Sequence, residues 1–374
     1  MIYLDSAATT LQKPPAVARA SARAIHRYAS PGRGGHPPAV AAAQVAFACR
    51  ELAAELFHVP DPEQVVFTFN ATHGLNIAIK SLVHPGSRVV ISGYEHNAVT
   101  RPLHAIPNVD IRVASSPLFD QQAAVRAFRT ELERGVDVAI CTHVSNVFGF
   151  ILPVEQIAQL CRSYQVPLIL DVSQSAGCLP LDAQALGAAF LAMPGHKGLY
   201  GPQGTGLLLC SADASPLLEG GTGSESIRQE MPEFLPDRLE AGTHNIAGIA
   251  GLLEGLRYIK RRGVEAIAAH ERSLIRQMGV GASQIPGLQI YLAENPLAQA
   301  GVLSLRFEGQ DCEELGEKLG DRGFALRAGL HCAPLAHKTA GTLDTGTLRA
   351  SVSDFNTHQE IQQFLRVLKT LSKA

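Results

Sequence analysis

The sequence predicts an α/β protein: a large unit built on a mainly parallel seven-stranded sheet between helices, with a smaller α+β unit attached. Three observations carry this. The first is a set of seven short β-rich runs at residues 65–69, 88–92, 110–113, 136–141, 166–171, 190–192 and 206–210. Most are apolar throughout rather than alternating, which marks strands covered on both faces. The second is the helical pattern between them, at 73–82, 120–134 and 154–164, the signature of strands joined by crossover helices. The third is a change of texture after about residue 255. A long helix-like stretch at 251–278 leads into separated strands at 289–292 and 301–307 and helices at 311–322 and 357–372. Residues 14–54 are rich in alanine, a strong helix former, on both sides of a break at Ser30-Pro-Gly-Arg-Gly-Gly-His-Pro-Pro38. The expected division is a large cofactor-binding unit over 15–254 and a small one over 1–14 and 255–374.

Composition narrows the function classes. The chain has 374 residues, 46% hydrophobic and 18% charged, against roughly 25% charged in typical soluble domains. Such a chain buries a large core and is not disordered. A net charge of −2 excludes a strong overall pull on nucleic acid or an acidic membrane. No apolar run reaches the ~18 residues of a membrane span. The start, Met1-Ile-Tyr-Leu-Asp-Ser6, lacks the basic and apolar regions of a secretory leader, so a cytoplasmic protein is expected. Seven cysteines, at 49, 141, 161, 178, 210, 312 and 332, show no C-x-x-C and no metal-ligand spacing. Free thiols in a reducing compartment fit this count. Cys332 stands apart, in the Gly/Pro-bounded stretch Arg327-Ala-Gly-Leu-His-Cys-Ala-Pro334.

In open α/β sheets, ligands bind beyond the carboxyl ends of the strands. Three sequences stand there. Asn70-Ala-Thr-His-Gly74 opens a helix and makes an anion site or a plain helix cap by Thr72. Asp171-Val-Ser-Gln174 ends an apolar strand in a carboxylate, which is costly to bury without a cation or a ring N–H. Met193-Pro-Gly-His-Lys197-Gly puts a lysine among glycines. No Walker pattern is present, and a lysine in a buried loop loses its proton readily and attacks carbonyls. An anion cradle, an acid and a lysine on one sheet edge match pyridoxal 5'-phosphate.

The same residues carry a resemblance. Tyr3-Leu-Asp-Ser-Ala-Ala-Thr9, Arg33-Gly-Gly-His36, Glu95-His-Asn-Ala98, His143-Val-Ser-Asn146, Glu240-Ala-Gly-Thr243 and Arg349-Ala-Ser351 join the motifs above in order along the chain. The chain resembles the cysteine desulfurase and selenocysteine lyase family, in the class V aminotransferase group of fold-type-I pyridoxal phosphate enzymes. Its Cys332 loop is similar to that of the second group of desulfurases. The resemblance implies that Lys197 bonds the cofactor and moves protons, and that Asp171 pairs with the pyridine nitrogen. Gln174 and Asn146 contact the ring oxygen, and His96 stacks on the ring. Ala71, Thr72 and His196 hold the phosphate, with Thr243 reaching in from a partner subunit of a homodimer with shared sites. Arg349 binds the substrate carboxylate, with Asn146 and Arg327 beside it, and Cys332 attacks the substrate sulfur. A thiol does this only as thiolate, and Arg327 and His331 are close enough in sequence to supply positive charge. No metal is implied.

Three positions depart from the family pattern. Pro194 replaces a Ser or Thr that gives the phosphate a hydroxyl, Asn70 replaces a common Gly, and Leu330 replaces a His two residues before the cysteine. The expected activity is conversion of L-cysteine to L-alanine with a persulfide on Cys332, passed to an acceptor protein or small thiol. Selenocysteine lyase is the nearest alternative. A true aminotransferase or β-elimination lyase would need no Cys332. A catalytically silent binding or regulatory protein on the same scaffold would need none of Lys197, Asp171, Arg349 and Cys332.

Overall fold

The seven runs form one sheet in the computed structural model, which describes residues 1–31 and 34–372. Arg33, the first residue of the Arg33-Gly-Gly-His36 motif, lies outside the described residues. The strand order is Val65–Thr68, Gly206–Cys210, Phe190–Pro194, Leu168–Asp171, Val138–Thr142, Arg88–Ser92, Asp110–Ala114. Gly206–Cys210 runs antiparallel to both neighbours, and every other pairing is parallel. Five strands are buried at every position, whereas the edge strand Asp110–Ala114 is mostly exposed or half-buried.

Alternate residues of each strand feed two separate cores, because successive side chains point to opposite faces. Leu207 and Leu209 join the core beneath the helices Pro37–Phe57, Gln121–Glu133, Val154–Ser163 and Ile246–Arg262. Leu208 and Cys210 join the opposite core with Leu75, Ile79 and Val99, from the helices Ala71–Leu82 and Asn97–Ala105. The apolar continuity seen in the sequence is this two-sided burial.

A second sheet is antiparallel throughout, in the order Arg327–Gly329, Thr347–Ser351, Val302–Phe307, Leu288–Tyr291. It packs on the helices Val264–Ala282, Cys312–Gly320 and His358–Leu371 through Leu274, Leu315, Phe364 and Leu368. The expected single helix over 251–278 is two helices. Gly263, at φ 82, ends Ile246–Arg262 and opens Val264–Ala282. A left-handed glycine stops a helix whatever the apolar period on either side. Among the described residues no helix is long and apolar enough to cross a membrane.

The chain start ties the two sheets together. Ile2–Tyr3 pairs in parallel with Phe324–Ala325, and Leu4 is buried in the smaller core. Ala7 N–H then donates to Ser351 Oγ (2.9 Å), and both the N–H and the hydroxyl of Thr10 donate to the His196 carbonyl (3.1 and 3.0 Å).

The segment carrying Thr243 is held by a buried ion pair. Arg50 Nη2 meets Glu240 Oε2, the Phe67 N–H donates to Glu240 Oε1 at 2.6 Å, and His244 Nε2 lies 2.9 Å from Oε2. Burial pushes the Glu240 carboxyl up, but Arg50 and His244 more than offset this and hold it below its usual value. Removing one member strands the other in the core. Glu240→Ala is therefore expected to cost about 3–5 kcal/mol, read as a lower urea midpoint. A midpoint equal to wild type would show that the pair contributes nothing.

Candidate active site

One cleft of about 210 Å³ lies at the carboxyl edge of the large sheet and gathers every predicted site residue except Thr243. The sheet supplies Ala71, Thr72, His96, Asn146, Asp171, Gln174, His196 and Lys197 from the ends of five strands. The smaller sheet supplies Arg327, Cys332 and Arg349. Thr243 stands exposed outside the cleft.

The helix Ala71–Leu82 aims its N-terminus into the cleft. Its cap is Asn70, not Thr72: Asn70 Oδ1 accepts the His73 N–H at 2.9 Å. Asn70 is fully extended (φ −175, ψ 177), so no glycine is required there. The uncapped N–H groups of the first turn face an anion with the positive end of the helix dipole.

Asp171 is 3% exposed, and its Oδ1 accepts the Ser173 N–H at 2.9 Å. Lys197 shares the cleft with it. Burial lowers the Lys197 ammonium to about 8, with Asp171 pulling the other way. A free amine is thus available near neutral pH. Gly195 is obligatory, since a Cβ there would sit 2.1 Å from Thr205 Oγ1.

The histidines of the cleft are neutral. His96 caps the helix Asn97–Ala105, with Nδ1 accepting the Ala98 N–H at 3.0 Å, so Nε2 carries the proton. Burial brings His96 to about 4 against the pull of Asp171. His196, beside Thr9 Oγ1 at 3.0 Å, is also brought to about 4, by burial and then Lys197 and Lys13. His331 is brought to about 2 by burial, with Arg349 adding to it. Its Nε2 faces the Thr347 carbonyl at 3.1 Å and therefore holds the ring's hydrogen. This corrects one expectation: His331 gives Cys332 no positive charge, because burial of the ring, with Arg349 adding to it, keeps the imidazole neutral. Arg327 lines the same cleft as Cys332.

Cys332 is exposed, whereas the other cysteines are buried or half-buried. His331 and Cys332 both lie in the left-handed region, at φ 50 and 56. Such residues cost about 1–3 kcal/mol each and persist only where the surroundings hold them.

Arg349 is 1% exposed and stands opposite Arg327 across paired strands. Its Nη2 donates to Asp5 Oδ1 at 2.6 Å and its Nη1 to the Asn146 carbonyl at 3.1 Å, while Nε is buried without a partner. The predicted carboxylate binder is thus oriented, with its Nε–H uncommitted. Gln174 and Asn146 both line the cleft, but each spends an amide N–H on main chain: Gln174 on the Ala7 carbonyl (3.0 Å) and Asn146 on the His331 carbonyl (2.8 Å). Asn146 Oδ1 is buried and unpaired.

Four residues join the site without a role in the sequence reading. Asp5 neutralises Arg349, Ala7 and Ala8 wall the cleft, and Lys13, lowered to about 8 by burial, donates to Thr10 Oγ1 at 2.7 Å. The signal for Asp5, Ala7 and Ala8 is the dense Tyr3–Thr9 motif itself; Lys13 lies beyond it. Pro194 lines the cleft and offers neither hydroxyl nor N–H.

These features fit pyridoxal 5'-phosphate. A buried carboxylate without an ion-pair partner among the described residues, an amine lowered toward neutrality and a free helix N-terminus converge on one cavity.

Comparison with known proteins identifies the family. The family model for class-V aminotransferases matches residues 2–364. A probable cysteine desulfurase of Methanothermobacter thermautotrophicus is 32% identical over 99% of this chain and 94% of its own length. One from Mycolicibacterium paratuberculosis is 31% identical, but this chain spans only 56% of that protein. Among solved structures, the apo cysteine desulfurase of Thermococcus onnurineus superposes with a TM-score of 0.91 at 28% identity, covering 100% of this chain and 94% of that one. The cysteine desulfurase CsdA of Escherichia coli gives 0.86 at 26%, covering 99% and 94%. With the match running nearly end to end and the lysine, aspartate and cysteine meeting in one cleft, the chain belongs to the class-V aminotransferase family, on its cysteine desulfurase branch.

Proposed function

We propose that this protein is a pyridoxal 5'-phosphate-dependent cysteine desulfurase that converts L-cysteine to L-alanine and leaves the sulfur as a persulfide on Cys332. The observation that carries this is the exposed Cys332 at the same cleft as Lys197, Asp171 and Arg349.

When bound, the cofactor supplies an electron sink for the substrate's α-carbon. Asp171 would hold its ring nitrogen, His96 would cover the ring, and the first turn at Ala71 and Thr72 would hold its phosphate with the neutral His196. Pro194 gives no hydroxyl here, so the helix N-terminus carries more of the phosphate. Lys197 would hold the cofactor's aldehyde carbon, and as a free amine it takes the substrate's α-proton. Arg349 orients the substrate carboxylate through Nε–H, with Arg327 adding positive charge. The Cys332 thiolate attacks the substrate sulfur. An S–S bond forms, the C–S bond breaks with its electron pair on the β-carbon, the β-carbon takes a proton, and Lys197 returns the α-proton to complete alanine. The persulfide then passes to an acceptor thiol. The Cys332 loop is short and clamped, so the acceptor comes to the cleft.

Further readings belong to the same proposal. Two copies form a homodimer in which Thr243, exposed and outside its own cleft, reaches the phosphate of the other site. The chain divides at 15–254 against 1–14 with 255–374, supported by the separate apolar cores of the two sheets. Seven unpaired cysteines suit a reducing cytoplasm.

Three outcomes are expected. Cys332→Ser keeps the visible absorbance of the loaded protein but yields no alanine from cysteine; wild-type alanine release would overturn the desulfurase reading. Reconstitution of the apoprotein with pyridoxal phosphate speeds up with pH and levels off above about 8, because only the unprotonated Lys197 amine attacks a carbonyl. A rate flat from pH 6 to 9, followed by absorbance, would contradict this. Finally, Thr243→Ala and Lys197→Ala chains damage opposite sides of a shared site. Co-refolded mixtures therefore regain one intact site per heterodimer and exceed either parent in activity. Heterodimers that form without regaining activity would rule out the shared site.

A further inference from the structure

A single path of contacts crosses the cleft from Asp5 to Cys332. Asp5 Oδ1 accepts from Arg349 Nη2 at 2.6 Å, and Arg349 Nη1 donates to the Asn146 carbonyl at 3.1 Å. The Asn146 side chain then donates through Nδ2 to the His331 carbonyl at 2.8 Å. The next carbonyl, that of Cys332, accepts the Asn97 N–H at 2.8 Å. Asn146 is touched by the carboxylate-binding arginine on its main chain and by the cysteine loop on its side chain.

The two ends need this residue for different reasons. His331 and Cys332 hold left-handed backbone, which surrounding contacts must over-determine. The clamps on their carbonyls are the Asn146 amide and the Asn97 N–H. At the other end, a carboxylate drawn to the free Nε–H of Arg349 competes with the contacts the guanidinium already makes, and one of these is Asn146.

Asn146 itself is firmly placed. The Ser145 N–H donates to the Phe150 carbonyl at 3.0 Å and the Gly149 N–H to the Ser145 carbonyl at 2.9 Å. Gly149, at φ 69, is pressed against the Val302 carbonyl, which a Cβ would approach to 2.5 Å. A residue set in so tight a turn transmits a pull rather than absorbing it.

We propose that Asn146 is a positioning residue that couples carboxylate capture at Arg349 to the placement of the Cys332 thiol. This rests on the roles given above to Arg349 and Cys332. It goes beyond them by making the two sites one mechanical unit, with Asn146 acting through the His331 carbonyl rather than on the substrate alone.

Coupling is measured by a double-mutant cycle. The readout is alkylation of Cys332 by iodoacetamide, resolved by peptide mass spectrometry on the loaded protein. Wild type, Asn146→Ala, Arg349→Gln and the double variant are compared. Asn146→Ala releases the loop and raises the alkylation rate about tenfold, in keeping with the loss of one buried hydrogen bond. Arg349→Gln alone raises it about threefold or more, and adds nothing once Asn146 is replaced, as expected for coupled rather than additive sites. Unchanged or slower alkylation in Asn146→Ala, or effects that multiply independently, overturns the proposal. If Asn146→Ala does not fold by near-ultraviolet circular dichroism, Asn146→Asp replaces it. That variant keeps the volume, turns the donor into an acceptor, and is held to the same outcomes. Alkylation needs no turnover, so a protein that made no alanine from cysteine would refute the desulfurase reading while leaving this cycle to be judged separately.

Discussion

Burial of the large sheet on both faces is the constraint from which the rest follows. Val138–Thr142, Leu168–Asp171 and Phe190–Pro194 have no solvent-facing side, so a polar side chain along their length would lose water with nothing in return. Polar chemistry is driven to the strand ends, where loops leave the sheet. Asp171 is the last residue of its strand, and Lys197 comes three residues after the end of Phe190–Pro194.

The same burial sets the electrostatics of the cleft. His96, His196 and His331 are all held neutral, so they act through ring faces and single donors rather than as cations. Positive charge is left to Lys197, Arg327 and Arg349. Arg349 could not stand almost wholly buried without Asp5, since an unpaired buried guanidinium is far costlier than a paired one. Asp5 comes from the strap at the chain start, which also grips the His196 carbonyl through Thr10. The strap thereby serves folding and the cleft together: it closes the smaller core with Leu4 and balances the charge of Arg349.

Much of this was legible in the residue order. The seven strands appear within a few residues of their final bounds, because two-sided burial leaves long apolar runs. Lys197, Asp171 and Cys332 were legible because each breaks its local pattern: a lysine among glycines, a carboxylate ending an apolar strand, a cysteine in a polar loop. The break at Gly263 was not legible, since Ile246–Arg262 and Val264–Ala282 keep an apolar period on both sides of it. The cap at Asn70 was passed over for Thr72, because either side chain can cap and only the extended backbone of Asn70 decides between them. His331 was read as a possible charge beside the thiol. Burial of its ring, with Arg349 18 residues on in the chain adding to it, holds it neutral instead.

What the sequence determined by itself is local and periodic: which runs are doubly buried, which turns carry chemistry, and which residue types stand at the sheet's edge. Those properties reside in composition and spacing, so they can be read without coordinates. What only the tertiary structure decided is pairing between distant segments. Asp5 meets Arg349 across 344 residues, and Asn146 meets His331 across 185. Neither contact leaves a trace in local spacing, because each arises from where two sheets and a strap meet. The protonation of each histidine, the donor left free on Arg349 and the clamped backbone of Cys332 all depend on those meetings, since burial and neighbouring charge are properties of the packed site and not of the residue.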